Sequence, residues 1–229
     1  MSKNSRSQLS NNKSATGRST LLTMAAVALV VAVAAVTSSC GSKDDRSSQD
    51  ADAARLAALA SEHSPTVGDA DAKVHIVEFL DPACGTCALF YPMVKGWMAE
   101  VPGGIRLSIR HVAFHEGADH AVRALEASRS QGKYWQTLEA LLATQPQWVH
   151  HHVVQPDNIW PIIANLGLDM EQLRAEMNSE EVLQRIERDK SDAIFMKVSA
   201  TPGYFVNGRP LVNFGQQQLA DLVREELEK

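Results

Sequence analysis

The sequence predicts a mixed α/β fold interrupted by an inserted helical block. Three observations lead there. Val74–Leu80 reads V-H-I-V-E-F-L, a run suited to a buried strand, and a helical pattern and a second alternating strand follow it. The chain closes on a short strand, an Asn207-Gly208 turn, a returning strand and an amphipathic helix. Between these two units the pattern from about residue 134 to 197 is helical throughout.

Each element has its own signal. Asp81-Pro82 breaks the first strand, and a helix runs from about Cys84 to Glu100 with Leu89, Phe90, Met93, Val94, Trp97 and Met98 as its apolar stripe. Pro102-Gly103-Gly104 stops it. Ile105–Ile109 alternates as the second strand, and Ala118–Ser130 is helical up to Gln131-Gly132. Pro146, Pro156, Pro161 and Gly167 divide the helical block from Tyr134 to about Lys197 into four pieces. Tyr204–Val206 is a strand, Asn207-Gly208 suits a type I′ turn, Leu211–Phe214 is the returning strand, and Gln216–Leu227 is the closing helix.

The 229 residues suffice for one domain, and 45% apolar content suffices for a core. Residues 1–40 carry Lys3, Arg6, Lys13 and Arg18 and no acid; the other 18 basic and 27 acidic side chains leave a net charge of −9. So acidic a body argues against nucleic acid as a partner.

The N-terminus reads as an address. A basic, polar segment precedes the apolar run Leu21–Val36, and Thr37-Ser38-Ser39-Cys40 follows. The run is 16 residues, or 19 counted through Ser39, where a membrane span needs roughly 20. Cys40 sits where a bacterial lipoprotein cysteine would, although Thr37 replaces the usual aliphatic residue. Lipidation at Cys40, an uncleaved anchor and simple cleavage all stay open, and each puts the body outside the cytoplasm, facing the periplasm. The expected organisation is an export signal or anchor over 1–41, a polar linker over 42–64 with a weak helix at Ala53–Ala60, and one folded domain over 65–229.

Three cysteines are too few for a disulfide scaffold. Cys84 and Cys87 form a C-x-x-C between strand and helix. A sulfur at a helix N-terminus meets unpaired N–H groups and the positive end of the helix dipole, which stabilise the reactive thiolate. Cys87, nearly one turn on and buried beneath, can close a small disulfide ring, and exchange requires an exposed attacking sulfur with a resolving sulfur nearby. A zinc site would need two more ligands at suitable spacing. Haem attachment would need His after the second cysteine, where Ala88 stands. A purely structural bridge over so short a loop restrains little chain entropy. Thr201-Pro202 precedes the Tyr204 strand, and a cis proline facing the cysteine pair would expose backbone groups able to hold a substrate strand.

The segments V-H-I-V-E-F-L-D-P-A-C-G-T-C-A-L-F-Y-P and T-P-G-Y-F-V-N-G-R-P-L resemble the thioredoxin superfamily, and within it the DsbA-like branch. Pro92, five residues after Cys87, stands where such proteins kink the helix. The resemblance covers roughly 65–229 and implies a thioredoxin-like fold with a helical insertion. It implies Cys84 as nucleophile, Cys87 as resolving cysteine, the pair as a redox-active disulfide, Pro202 as the cis-proline and Thr201 as the backbone contact for substrate. The dipeptide Gly85-Thr86 replaces the Pro-His of a strongly oxidising DsbA, which removes one stabiliser of the thiolate.

Among secondary candidates, Glu78 could shuttle a proton to Cys87 if buried, and reads equally as a solvated strand residue. His111, His115 and His120 could line the active-site face, or lie at the surface or in the core. His150-His151-His152 could bind a metal, or form a solvated loop. Trp97, Trp135, Trp148 and Trp160 read as core or groove aromatics. The expected function is an extracytoplasmic thiol:disulfide oxidoreductase acting on exported protein thiols and disulfides, as an oxidase, recycled by a partner protein, with no metal or organic cofactor. Isomerase or reductase is the alternative direction. A non-catalytic metal-binding or adaptor lipoprotein is the alternative of another class.

Overall fold

A computed structural model describes residues 42–59 and 61–229. The export segment and Cys40 lie outside the described residues. Among the described residues no helix is long and apolar enough to cross a membrane.

The elements run α1 (Ser42–Leu59), β1 (Thr66–Val67), β2 (Val74–Leu80), α2 (Gly85–Glu100), β3 (Ile105–His111), α3 (Ala118–Ala127), α4 (Tyr134–Ala143), α5 (Gln145–Trp148), β4 (Val149–His150), β5 (Val153–Val154), α6 (Pro156–Ala164), α7 (Met170–Glu176), α8 (Glu180–Phe195), β6 (Gly203–Val206), β7 (Arg209–Pro210) and α9 (Gln216–Glu228). One sheet has the order β1-β3-β2-β6-β7. β2 and β3 run parallel, in register from Val74↔Ile105 to Leu80↔His111. β6 lies antiparallel on the other side of β2, with Glu78 opposite Tyr204. β2 is therefore central, which is why it is a near-continuous apolar run with only His75 partly exposed.

Strand alternation divides the interior in two. Val74, Ile76, Leu80, Ile105, Leu107, Ile109, Tyr204 and Val206 face a large core shared with α2, α9 and the helical block. Val77, Phe79 and Phe205 face a smaller core closed by Ala193 and Met196 at the end of α8 and by Ala58 and Leu59 at the end of α1. Glu78 points with Ile76 and Leu80, toward the large core and α2.

Several expectations change. The segment expected as a polar linker over 42–64 is helical from Ser42 to Leu59 and is tied to the body at its end. Arg110, fully buried on β3, donates from Nη1 to the Ala58 carbonyl and pairs with Asp189 and Asp192 of α8. His63 donates to the same Asp189 at 2.7 Å. The fold thus begins before Pro65, because Ala58 and Leu59 cover apolar surface that would otherwise meet water.

The helical block holds five helices rather than four pieces, and the two-residue strands β4 and β5 interrupt it. Their turn places His151 and His152 at φ 52° and 65°. Left-handed backbone is costly for histidine. Buried Trp148 and Val154 hold it, together with the bond from Val154 N to Glu116 O.

Asn207 and Gly208 both have positive φ, as the hairpin turn requires. The returning strand is Arg209–Pro210 instead of Leu211–Phe214. Beyond Leu211 N, which still bonds Tyr204 O, the chain leaves the sheet and Phe214 stacks on Phe90 at 4.9 Å.

Candidate active site

The site begins where β2 ends. Asp81 is fully buried and its carboxylate accepts four hydrogen bonds: from the N–H of Ala83 (2.8 Å), Phe114 (2.8 Å) and His115 (2.9 Å), and from His115 Nδ1 (2.8 Å). The Asp81 carbonyl accepts from Cys84 N at 3.0 Å. One acid thus fixes the loop that carries Cys84 and pins it to the loop after β3. Gln145 of the helical block adds a bond from Nε2 to the Pro82 carbonyl at 2.8 Å.

Cys84 is the N-cap of α2, in extended conformation. Its side chain stands where a capping oxygen would stand, before the free N–H groups of the first turn. The Cys84 thiol is pulled down from its ordinary value to about 5: the Cys87 side chain hydrogen-bonds it, burial opposes this, and the Thr201 side chain and the N–H groups of Cys87 and Thr86 add to the lowering. Cys87 goes the other way. Burial, first, and then the neighbouring Cys84 and Glu78 push it well above its ordinary value. Both are free thiols here. The expectation of an exposed attacking sulfur needs correction: Cys84 is only 6% exposed. The cis-proline loop covers it, and Sγ donates to the Thr201 carbonyl at 3.3 Å.

The Thr201-Pro202 bond is cis. The loop abuts Gly203, where a Cβ would meet Val198 Cγ1 at 2.9 Å. Beside the cysteines the loop borders a cleft of about 460 Å³, lined by Thr86, Val198–Gly203 and the apolar Leu211, Val212 and Phe214. The structure therefore brings Cys84, Cys87, Thr201 and Pro202 together.

Glu78 joins them. It is fully buried, so the solvated reading is excluded. Burial raises its carboxyl to about 8, the Tyr204 hydroxyl holding it down somewhat and the Cys84 charge adding to the rise.

The histidines do not join them as a set. His111 is buried on the core side, its Nε2 sharing a 2.8 Å hydrogen bond with the Tyr134 hydroxyl. His120 meets Trp160 edge-on at 5.2 Å. His115 alone borders the site, through Asp81, and His152 stacks against it at 5.9 Å. Among the described residues no group of three or more His, Cys, Asp or Glu is gathered as a metal site. Of the tryptophans, Trp148 is wholly buried, and Trp97, Trp135 and Trp160 pack partly buried against the large core.

Sequence reasoning passed over Asp81, Gln145 and Tyr204. The signal for Asp81 was present, since an Asp two residues before a loop N–H is a local turn former. Nothing in the sequence pointed to Gln145.

A strand–helix–strand unit with its cysteine at the helix start, a hairpin–helix unit entered through a cis-proline, and helices inserted between them define a thioredoxin-like protein of DsbA-like architecture. A sequence model of the family described as Thioredoxin matches residues 60–225. The chain belongs to the thioredoxin family. It is similar to a thioredoxin-like oxidoreductase from Silicibacter pomeroyi, at 29% identity and TM-score 0.66 over 76% of this chain and 98% of that one. The Wolbachia pipientis alpha-DsbA1, at 18% identity, shares the fold with TM-score 0.66 over 76% of this chain and 96% of that one. Among curated proteins, a Na(+)/H(+) antiporter NhaA of Herminiimonas arsenicoxydans is 33% identical over 144 residues, 63% of this chain and 22% of that protein. The chain spans about a fifth of the length of the curated relatives it matches.

Proposed function

We propose that this chain is an extracytoplasmic thiol:disulfide oxidoreductase that oxidises thiols of exported proteins. The carrying observation is the asymmetry of the pair: Cys84 ionises near 5 beside the cis-proline cleft while Cys87 stays protonated beneath it. Cys84 is the nucleophile and Cys87 the resolving cysteine. With the pair oxidised, a substrate thiolate attacks Cys84 Sγ. The Cys84–Cys87 bond breaks, and Cys87 leaves with the electron pair and takes a proton from Glu78. A second substrate thiolate then attacks the substrate sulfur of the mixed disulfide and expels Cys84 as a thiolate. The substrate is oxidised by two electrons and the pair reduced by two. The backbone at Thr201-Pro202 holds the substrate segment, and the apolar Leu211, Val212 and Phe214 receive its side chains.

Oxidation is the favoured direction because a stabilised Cys84 thiolate favours the reduced pair. A value near 5 lies between the roughly 7 of thioredoxin and the roughly 3.5 of DsbA. The basic, apolar and small-residue segments ahead of residue 42 support a place outside the cytoplasm, held at the membrane through 1–41 by lipidated Cys40 or an uncleaved anchor. Partners are exported thiols and a protein that reoxidises the pair.

Equilibration with glutathione tests the direction: a potential nearer about −120 mV supports an oxidase, and one near about −270 mV a reductase. Insulin reduction with dithiothreitol tests the class, and undiminished activity in Cys84→Ser would overturn it.

A further inference from the structure

Two buried polar groups beside the cysteine pair have no hydrogen-bond partner among the described residues: both oxygens of the Glu78 carboxyl and the Tyr204 hydroxyl. They stand directly opposite one another on antiparallel β2 and β6, so their side chains share one face of the sheet. Glu78 is 0% exposed and Tyr204 2%. Orphaned polar groups in such a place are costly, and each is the other's cross-strand neighbour. The tyrosine ring is braced from the helix side, where Phe90 of α2 stacks on it at 6.1 Å and Phe214 covers Phe90 in turn. The titratable groups that face Glu78 are Cys84 at the N-cap of α2, Cys87 and Tyr91 within α2 and Tyr204 from β6, none of them a cation. β3 presents apolar Ile109 across from it.

We propose that Tyr204 is a positioning residue for proton transfer, its hydroxyl accepting from the Glu78 carboxyl while that carries the proton and donating to the carboxylate once the proton has gone to Cys87. The inference rests on the exchange reaction proposed above and adds a second member to its proton path. When the Cys84–Cys87 bond breaks, the electron pair goes to Cys87 sulfur and the Glu78 proton follows it. The carboxylate left behind sits in an apolar enclosure where bulk water is absent as a donor. The phenol is the cross-strand group able to stabilise it, because a hydroxyl both donates and accepts, and a small side-chain shift brings the two orphaned groups within hydrogen-bond reach. The lowering influence of Tyr204 on Glu78, against the burial that raises it, agrees with this role. Tyr204 itself stays protonated, pushed well above its ordinary value by burial first and then by Glu78 and Cys87.

The test compares wild type, Tyr204→Phe, Glu78→Gln and the double variant. The rate at which dithiothreitol reduces the Cys84–Cys87 disulfide is measured against pH and corrected to constant dithiothreitol thiolate. Wild type should show a step where the buried Glu78 carboxyl loses its proton, above the ordinary carboxylate range because of burial; the Cys84 charge that adds to the rise in the dithiol form is absent from the disulfide. In Tyr204→Phe the step should move upward by about one unit, because the carboxylate has lost a charge-assisted hydrogen bond. It should vanish in Glu78→Gln, and adding Tyr204→Phe there should change nothing further. As a readout independent of turnover, the infrared C=O band assigned by its loss in Glu78→Gln should shift in Tyr204→Phe. A Tyr204→Phe profile and carboxyl band that superimpose on wild type overturn the proposal. So does a Tyr204→Phe effect that is equally large with Gln at position 78. A wild-type protein that exchanges no disulfide, or a Cys84→Ser variant that exchanges normally, overturns the oxidoreductase reading instead, and this inference with it.

Discussion

Replacing Asp81 by alanine should unseat the cysteine loop and cost a large part of the stability. The carboxylate is fully buried and serves three backbone N–H groups and one imidazole. Hydrogen bonds to a charged group are worth about 1.5–3 kcal/mol each, but four on one carboxylate do not add. Phe114 is 51% exposed and the His115 side chain 22%, so water can reach part of what is released. The Ala83 N–H cannot be served this way, since that residue is 2% exposed. The expected loss is therefore about 3–5 kcal/mol, against a total of about 5–15 for a typical domain. Urea unfolding of the dithiol form at pH 7 measures it: with a slope of about 2 kcal/mol per molar, the midpoint should fall by about 1.5–2.5 M. Asp69→Ala is the control, because that exposed carboxylate accepts only the Asp71 N–H and its loss should stay within about 0.5 kcal/mol. A midpoint shift below about 0.5 M for Asp81→Ala would refute the view that this acid holds the site together.

Further outcomes follow from the same geometry. Alkylation of the reduced protein by iodoacetamide should titrate near pH 5, set by Cys84, and a midpoint near the ordinary thiol value would contradict the thiolate argument. Because the folded value of Cys84 lies below its unfolded value of 9.0, its ionisation stabilises the folded dithiol form fully only above pH 9. The contribution shrinks as pH falls toward 5 and is absent below it. Stability of the dithiol form should thus decline between pH 8 and 5 relative to a Cys84→Ser variant, and parallel curves would count against it. Cys87→Ala should accumulate mixed disulfides at Cys84 on non-reducing gels, since the intramolecular attack of Cys87 on Cys84 Sγ that releases them is lost; their absence would remove Cys84 from the role of nucleophile. Arg110→Met should cost about 3–5 kcal/mol by stranding Asp189 and Asp192, whereas Arg110→Met with Asp189→Asn should cost less than the sum of the two, as a double-mutant cycle in urea would show.

The central strand and the cysteine helix were legible because their signals are local. V-H-I-V-E-F-L needs no context to be a buried strand, Pro102-Gly103-Gly104 stops a helix wherever it occurs, and Asn207-Gly208 supplies two positive φ values unaided. β1 was illegible because two residues carry no period. The β4–β5 hairpin was illegible because histidines occupy left-handed positions that only tertiary packing justifies. Glu78 stood between: alternation put it on the side of Ile76 and Leu80, yet whether that side was dry depended on α2 and Tyr204 arriving from elsewhere in the chain. Arg110 carries no local signal of burial, since its acids lie 79 and 82 residues further on.

That clamp has a mechanical consequence. Met196 closes the smaller core at the end of α8, which runs straight into the loop ending at Thr201-Pro202. The end of α1 is thus linked through Arg110 and Asp189 to α8, and α8 leads to the foot of that loop. Under the function proposed above, a pull on the chain at Leu59 would therefore be felt beside the cleft at the cis-proline loop.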